Sequence, residues 1–154
     1  MSLSPIIRAL EAADLSALLT LYEAHLFEEG DLPRPGEERL REVWGEIVHN
    51  PRTTYVGAFV DTSLVAACAM ITIPNLTRGA SPYAVIENVV THRGFRGKGL
   101  ATAVLRCALD TAWKGGCYKV MLLSSVHRTA AHGLYQKVGF VGDQKVGFIA
   151  KPPR

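Results

Sequence analysis

Apolar positions along the chain switch repeatedly between a helical period and strand-like runs. Residues 6–10, Ile-Ile-Arg-Ala-Leu, read as a short first strand. From Leu15 the apolar residues Leu15, Leu18, Leu19, Tyr22 and Leu26 recur at spacings of 3, 1, 3 and 4, a helix period, with Asp14 placed to cap it. Gly30, Pro33 and Pro35 break that pattern and predict a loop over 28–35. Leu40, Val43, Trp44 and Ile47 then share one face of a second helix, 37–50, ended by Asn50-Pro51. Segments 53–60 and 64–73, β-branched and apolar, flank Asp61-Thr62-Ser63 and predict an antiparallel hairpin. A loop over 74–82, with Asn75, Arg78 and Gly79, leads to a strand at 83–91.

The second half continues in the same way. Leu100, Val104, Leu105, Ala108, Leu109 and Ala112 form the buried stripe of a helix, 100–113, and Gly115-Gly116 stops it. A strand is expected at 118–123 and a short helix at 129–137, ended at Gly139. One or two closing strands follow within 140–151, around Gly142-Asp143. The order predicts an α/β domain, a mixed sheet with helices on both faces, over residues 1–154. A helical crossover between two strands makes them parallel neighbours.

Composition changes this picture little. At 48% hydrophobic and 20% charged, the 154 residues suit one ordinary globular domain with a real core. No apolar run reaches the roughly 18 to 20 residues that span a bilayer, and the start lacks the pattern of an export signal. The expectation is a cytoplasmic protein with no membrane partner. A net charge of +3 is too small to argue for nucleic acid. Cys68, Cys107 and Cys117 form no C-x-x-C pair and read as reduced, mostly buried thiols. His127 and His132 have no carboxylate or cysteine companions at ligand spacing, so no metal is expected.

Candidate chemistry concentrates at residues 93–101, Arg-Gly-Phe-Arg-Gly-Lys-Gly-Leu-Ala, between a strand and a helix. A helix opens with unpartnered N–H groups and a dipole that favours anions. Gly97 and Gly99 let an oxygen approach the main chain, and Arg96 and Lys98 add charge. The turn reads as a pyrophosphate cradle. A P-loop needs Lys-Ser/Thr after its last glycine, where Leu100-Ala101 stands. A Rossmann turn needs a small residue at Thr102 and an acid about 20 residues on, and neither fits.

The stretch Arg96-Gly97-Lys98-Gly99-Leu100-Ala101 resembles motif A of the GCN5-related N-acetyltransferases, the GNAT family, R/Q-x-x-G-x-G/A. Residues 131–140, with Leu134-Tyr135 and Gly139-Phe140, resemble that family's motif B. Arg96 and Tyr135 lie 39 residues apart, with a helix and a strand between, as in the family. The resemblance implies a mixed, mostly antiparallel sheet of six to seven strands with about four helices. It also implies acetyl-CoA as co-substrate, bound by residues 96–101 (Arg96, Gly97, Lys98, Gly99, Leu100, Ala101) and by the strand end at Val89, Val90 and Thr91. Arg128 stands where the family often has a coenzyme-contacting Asn.

The expected activity is transfer of the acetyl group to a primary amine of a small molecule, by direct attack through a tetrahedral intermediate. The resemblance puts the acid that protonates the leaving thiolate on Tyr135, and the oxyanion donor on a backbone N–H near Val89 to Thr91. A free alkyl ammonium is protonated at pH 7. Glu87, among Val85, Ile86, Val89 and Val90, is expected to have a raised pKa and to serve as base or as ammonium anchor. The alternative is that it pairs with an arginine and only holds the strand. His25, Phe27, Glu28, Glu29 and Arg78 are expected at the acceptor, although the acidic segment to Asp31 also reads as a solvated turn. Ile86-Glu87-Asn88-Val89-Val90 and Cys117-Tyr118-Lys119-Val120 are similar to runs in glucosamine-6-phosphate N-acetyltransferases, so that acceptor is one alternative. A non-catalytic acyl-CoA-binding module is another. A homodimer is expected from the family and from the general frequency of two-fold assemblies.

Overall fold

The hairpin expected over 53–73 sits in the middle of the sheet. In the computed structural model, which describes residues 4–27 and 33–153, five strands lie in the order β1 (Ile6–Ala9), β2 (Thr53–Val60), β3 (Ser63–Ile73), β4 (Tyr83–Thr91) and β5 (Val120–Met121). The first four pair antiparallel. β4 and β5, joined through a helix, are parallel, as the crossover requires. Five helices accompany them: α1 (Leu15–His25), α2 (Glu37–His49), α3 (Thr77–Ala80), α4 (Leu100–Lys114) and α5 (Thr129–Lys137). Contacts divide the chain into two compact units, Met1–Leu122 and Leu123–Arg154. The first holds the whole sheet.

Alternation along β2 explains the layers of the first unit. Tyr55 and Phe59 pack with Leu18, Leu21 and Tyr22 of α1 and Trp44 of α2. Val56 and Ala58, one position out of phase, are buried on the other face. That face belongs to α4, which lies against β2 and β3. Its Leu100, Val104, Leu105, Ala108 and Ala112 are buried, so five of the six residues expected in its stripe are, and Leu109 is half-buried. Leu105 is fully buried; truncating such a side chain to Ala costs about 2–5 kcal/mol. Where Leu10 and Leu64 meet over the sheet, a Cβ on Gly57 would lie 2.6 Å from a methyl of each. Only glycine lets both leucines close that layer.

Several expectations are corrected. Asp14 stands at the start of α1 without capping it by a side-chain bond. Its carboxylate instead accepts the Glu11 N–H at 2.7 Å and two bonds from Arg8, at 2.7 and 2.9 Å. A guanidinium within reach outbids an ordinary capping bond. Leu21 takes the buried place expected of Leu19, which is half-buried. The loop at 74–82 contains the short turn α3, held by Asn75, whose amide donates to Thr77 and to the Ser81 carbonyl. The strand expected over 118–123 is only two residues long. The sheet has five strands rather than six to seven, because residues 140–151 form none. In that segment Val146, Phe148 and Ile149 are 80%, 91% and 74% exposed. β-favouring residues make a strand only where a neighbour completes the ladder.

The second unit carries α5 over the residues expected, 129–137. Gly139, at φ 106°, ends it, and the Phe140 N–H returns to the Tyr135 carbonyl at 3.0 Å.

Candidate active site

β4 delivers the site, and its irregularity shapes it. Ala67 faces Val90 and Ala69 faces Glu87, three steps along β4 against two along β3. β4 therefore carries one extra residue, a β-bulge. Asn88 takes the strain with φ 53°, a conformation that Asn tolerates better than the β-branched residues around it. The bulge breaks the alternation, so that Glu87 and Asn88 are both exposed. The apolar enclosure expected for Glu87 is thus absent: its strand neighbours are apolar, but the bulge turns the carboxylate to solvent. Val89 and Thr91 are half-buried and Val90 is buried. Beneath this bend, the Tyr22 hydroxyl is buried beside the Asn88 side chain, outside hydrogen-bond geometry. Burial pushes its phenol well above the ordinary value.

On its other side β4 is nearly unpaired. Only Ala84 and Val85 meet β5, opposite Val120 and Met121. From Ile86 onward β5 supplies no partner. The main chain of the bulge and of Val89 to Thr91, where the family resemblance puts the oxyanion donor, therefore has no ladder partner in β5.

The strand ends in the glycine turn. His92 anchors it to β3 through its N–H, 2.8 Å from the Val65 carbonyl. A single 3-10 turn, Arg93–Phe95, follows. Arg96 Nε donates back to the Thr91 carbonyl at 3.4 Å. Gly97 and Gly99 have φ of 73° and 77°, which glycine adopts without strain. Nothing lies within 4 Å of where a Cβ would stand on either, so the space beside them is open. Gly99 leads into α4 with no side-chain cap. The Ala103 N–H is bonded to the Gly99 carbonyl at 3.0 Å; those of Leu100, Ala101 and Thr102 precede it and have no intrahelical acceptor. Three N–H groups, two exposed cationic side chains and open backbone fit a diphosphate.

The remaining expected residues are scattered. His25 lies against this turn, its ring centroid 4.2 Å from that of His92. Burial, with His92, Arg93 and Arg96 nearby, holds its imidazole below the usual pKa. Phe27 is exposed, 6.1 Å from the Tyr22 ring. Arg78 lies by the opposite end of β4, its guanidinium 5.9 Å from the Tyr118 ring. At roughly 3.3 Å per strand residue, the nine residues of β4 keep Arg78 and His25 apart. Glu28, Glu29 and Asp31 lie outside the described residues. In the second unit, Arg128 precedes α5 without capping it by its side chain, and the Tyr135 ring lies edge-on to Phe140 at 6.0 Å.

The thiols are poor nucleophiles: burial pushes Cys68 up to about 12 and raises Cys107 and Cys117. No helix among the described residues is long and apolar enough to cross a membrane. The sequence reading missed His92, Asn88 and Tyr22. An Asn amid β-branched strand residues was the available sign of the bulge.

Comparison with known proteins agrees with this geometry. The sequence profile of the acetyltransferase (GNAT) family matches residues 16–140. A glucosamine 6-phosphate N-acetyltransferase of Trypanosoma brucei brucei is 31% identical over 141 residues, 87% of either chain. Among solved structures, a putative acetyltransferase from Agrobacterium tumefaciens superposes with a TM-score of 0.87 at 38% identity, over 96% of this chain and 99% of that one. Glucosamine-6-phosphate N-acetyltransferase from Arabidopsis thaliana gives 0.79 at 25%, over 97% and 98%. With a bulged, half-paired β4 running into a glycine turn and α4, the chain belongs to the GNAT acetyltransferase family.

Proposed function

We propose that this protein moves an acetyl group from acetyl-CoA to the primary amine of a small molecule, by direct attack. The observation that carries this reading is the continuity of β4. One strand leads from a bulge beside Glu87, along an unpaired edge, into a turn suited to a diphosphate. Arg96, Lys98 and the N–H groups of Leu100, Ala101 and Thr102 bind the diphosphate. Val89, Val90 and Thr91 offer main-chain groups to the pantetheine arm and an N–H to the oxyanion. Acetyl-CoA supplies a thioester whose leaving group is a thiolate. Tyr135 donates the proton which that thiolate takes up, and Glu87, directly or through water, removes one from the attacking amine or anchors its ammonium form. The exposure of Glu87 leaves its carboxylate open to an ammonium group arriving from solvent.

The acceptor tested first is glucosamine 6-phosphate. The Trypanosoma relative bears that activity in its name, and the local runs at 86–90 and 117–120 point the same way. We extend the reading to a cytoplasmic homodimer. Thiol release from acetyl-CoA, measured against amines that include glucosamine 6-phosphate, tests the activity. Release with a free amine supports the transferase; coenzyme binding without release on any amine leaves a binding module in its place. Failure to bind CoA by calorimetry sinks both.

A further inference from the structure

The glycine turn stands on an aromatic column that the reaction itself does not use. His92 caps the 3-10 turn: its Nδ1 accepts the Gly94 N–H at 3.1 Å. That bond requires an unprotonated Nδ1, so the ring carries its proton on Nε2. His25 packs against this ring at 61°, 4.2 Å away. Phe95 packs against it as well, at 77° and 5.4 Å. The Phe95 ring in turn carries the Lys98 ammonium, 4.8 Å from its centroid. The Phe95 N–H bonds the His92 carbonyl at 2.9 Å, and His92 is tied to β3 through its own N–H. One residue thus connects the sheet, α1 and the charged tip of the turn.

We infer that His92, backed by His25, is a positioning residue that sets the shape of the coenzyme diphosphate turn through its bond to the Gly94 N–H. The inference rests on the reading of residues 93–101 as that turn. Most of residues 93–99 are exposed and gain little from packing, so an internal acceptor two residues before Gly94 has an outsized effect on how ordered the turn is. A turn already ordered binds without the entropy loss of ordering it. His25 adds a half-buried ring: its Nδ1 is buried without a hydrogen-bond partner, and burial first, then His92, Arg93 and Arg96, favour its neutral form. A neutral His25 ring can pack closely beside two guanidinium groups, which an imidazolium would repel.

The test separates the acceptor from the ring. His92→Phe keeps an aromatic ring and loses the acceptor; His92→Asn keeps an acceptor for the N–H two residues on and loses the ring. CoA affinity is measured by calorimetry, with KM for acetyl-CoA and kcat on whichever amine turns over, and a thermal melt checks folding. His92→Phe should weaken CoA by roughly tenfold, the effect of one lost hydrogen bond, with KM rising more than kcat falls. His92→Asn should return to within roughly threefold of the parent. His92→Leu stands in should the Phe variant not fold. CoA binding unchanged in His92→Phe, or as weak in His92→Asn as in His92→Phe, overturns the positioning role. A parent protein that does not bind CoA overturns the diphosphate reading instead.

Discussion

Glu87 stands opposite Ala69, and Val90 opposite Ala67, so the two strands fall out of step by one residue at Asn88. That slip decides where a carboxylate sits on β4. Asn88→Val forces a β-branched residue to φ 53° and should destabilise the fold by about 1–3 kcal/mol, whereas Asn88→Gly should be nearly neutral. Urea midpoints of the two variants check this. Equal midpoints for Val and Gly would mean that the strand relaxes back into register.

Gly97 and Gly99 offer a different separation. Open space beside them means that Ala meets no clash, only the strain of a positive φ, about 1 kcal/mol. Each Ala substitution should therefore lower stability modestly and weaken CoA by more than tenfold, as the methyl group occupies the ligand's side of the turn. Calorimetry and a melt on the same samples compare the two effects.

Tyr135→Phe should lower kcat by roughly a hundredfold or more, the usual contribution of a positioned acid, and leave CoA affinity close to the parent's. Glu87→Gln should reduce turnover with the amine while sparing CoA binding. A Tyr135→Phe variant with unchanged thiol release would remove the tyrosine from the chemistry.

His25 makes stability depend on pH. Its pKa in the fold is lowered, by burial first and then by His92, Arg93 and Arg96. The unfolded chain, with an ordinary value near 6.5, takes up a proton first as pH falls. Stability is therefore full above about 6.5 and declines below it, until His25 also protonates in the fold. His25→Asn should flatten the melting temperature between about pH 7 and 5.

Asp14 acts in a lower window. Arg8, bonded to it twice, holds the carboxyl below its usual value, so its contribution is present above roughly pH 4 and disappears as pH falls through the lowered value. Asp14→Asn should cost about 2 kcal/mol at neutral pH, read from denaturant midpoints.

These outcomes draw on features of unequal visibility in the sequence. The extents of β2, β4 and α5 were legible because period, breakers and β-branched runs agreed there. The glycine turn was legible because its glycines and cations lie together within residues 96–101. Glu87 was visible as a candidate, but its exposure was not, since a bulge is a relation between strands and Asn88 reveals only half of it. The partnership of His25 and His92 joins α1 to the end of β4 across 67 positions, a pairing that no periodicity encodes. The missing closing strands show the same limit from the other side. Val146, Phe148 and Ile149 have the right propensity, but residues 140–151 have no ladder to join.

The two-residue contact between β4 and β5 has a consequence for the proposed binding of acetyl-CoA. Main-chain groups left open along the middle of a sheet form a docking strand in waiting. An amide-bearing arm laid along Val89 to Thr91 would extend the sheet by augmentation, with the ligand in the place of a polypeptide. Occupancy should then appear as slowed amide hydrogen exchange at those residues. It should also raise stability by about 2.7 kcal/mol at a hundredfold excess over Kd. On this view the half-built edge makes the coenzyme a temporary part of the sheet's hydrogen-bond network.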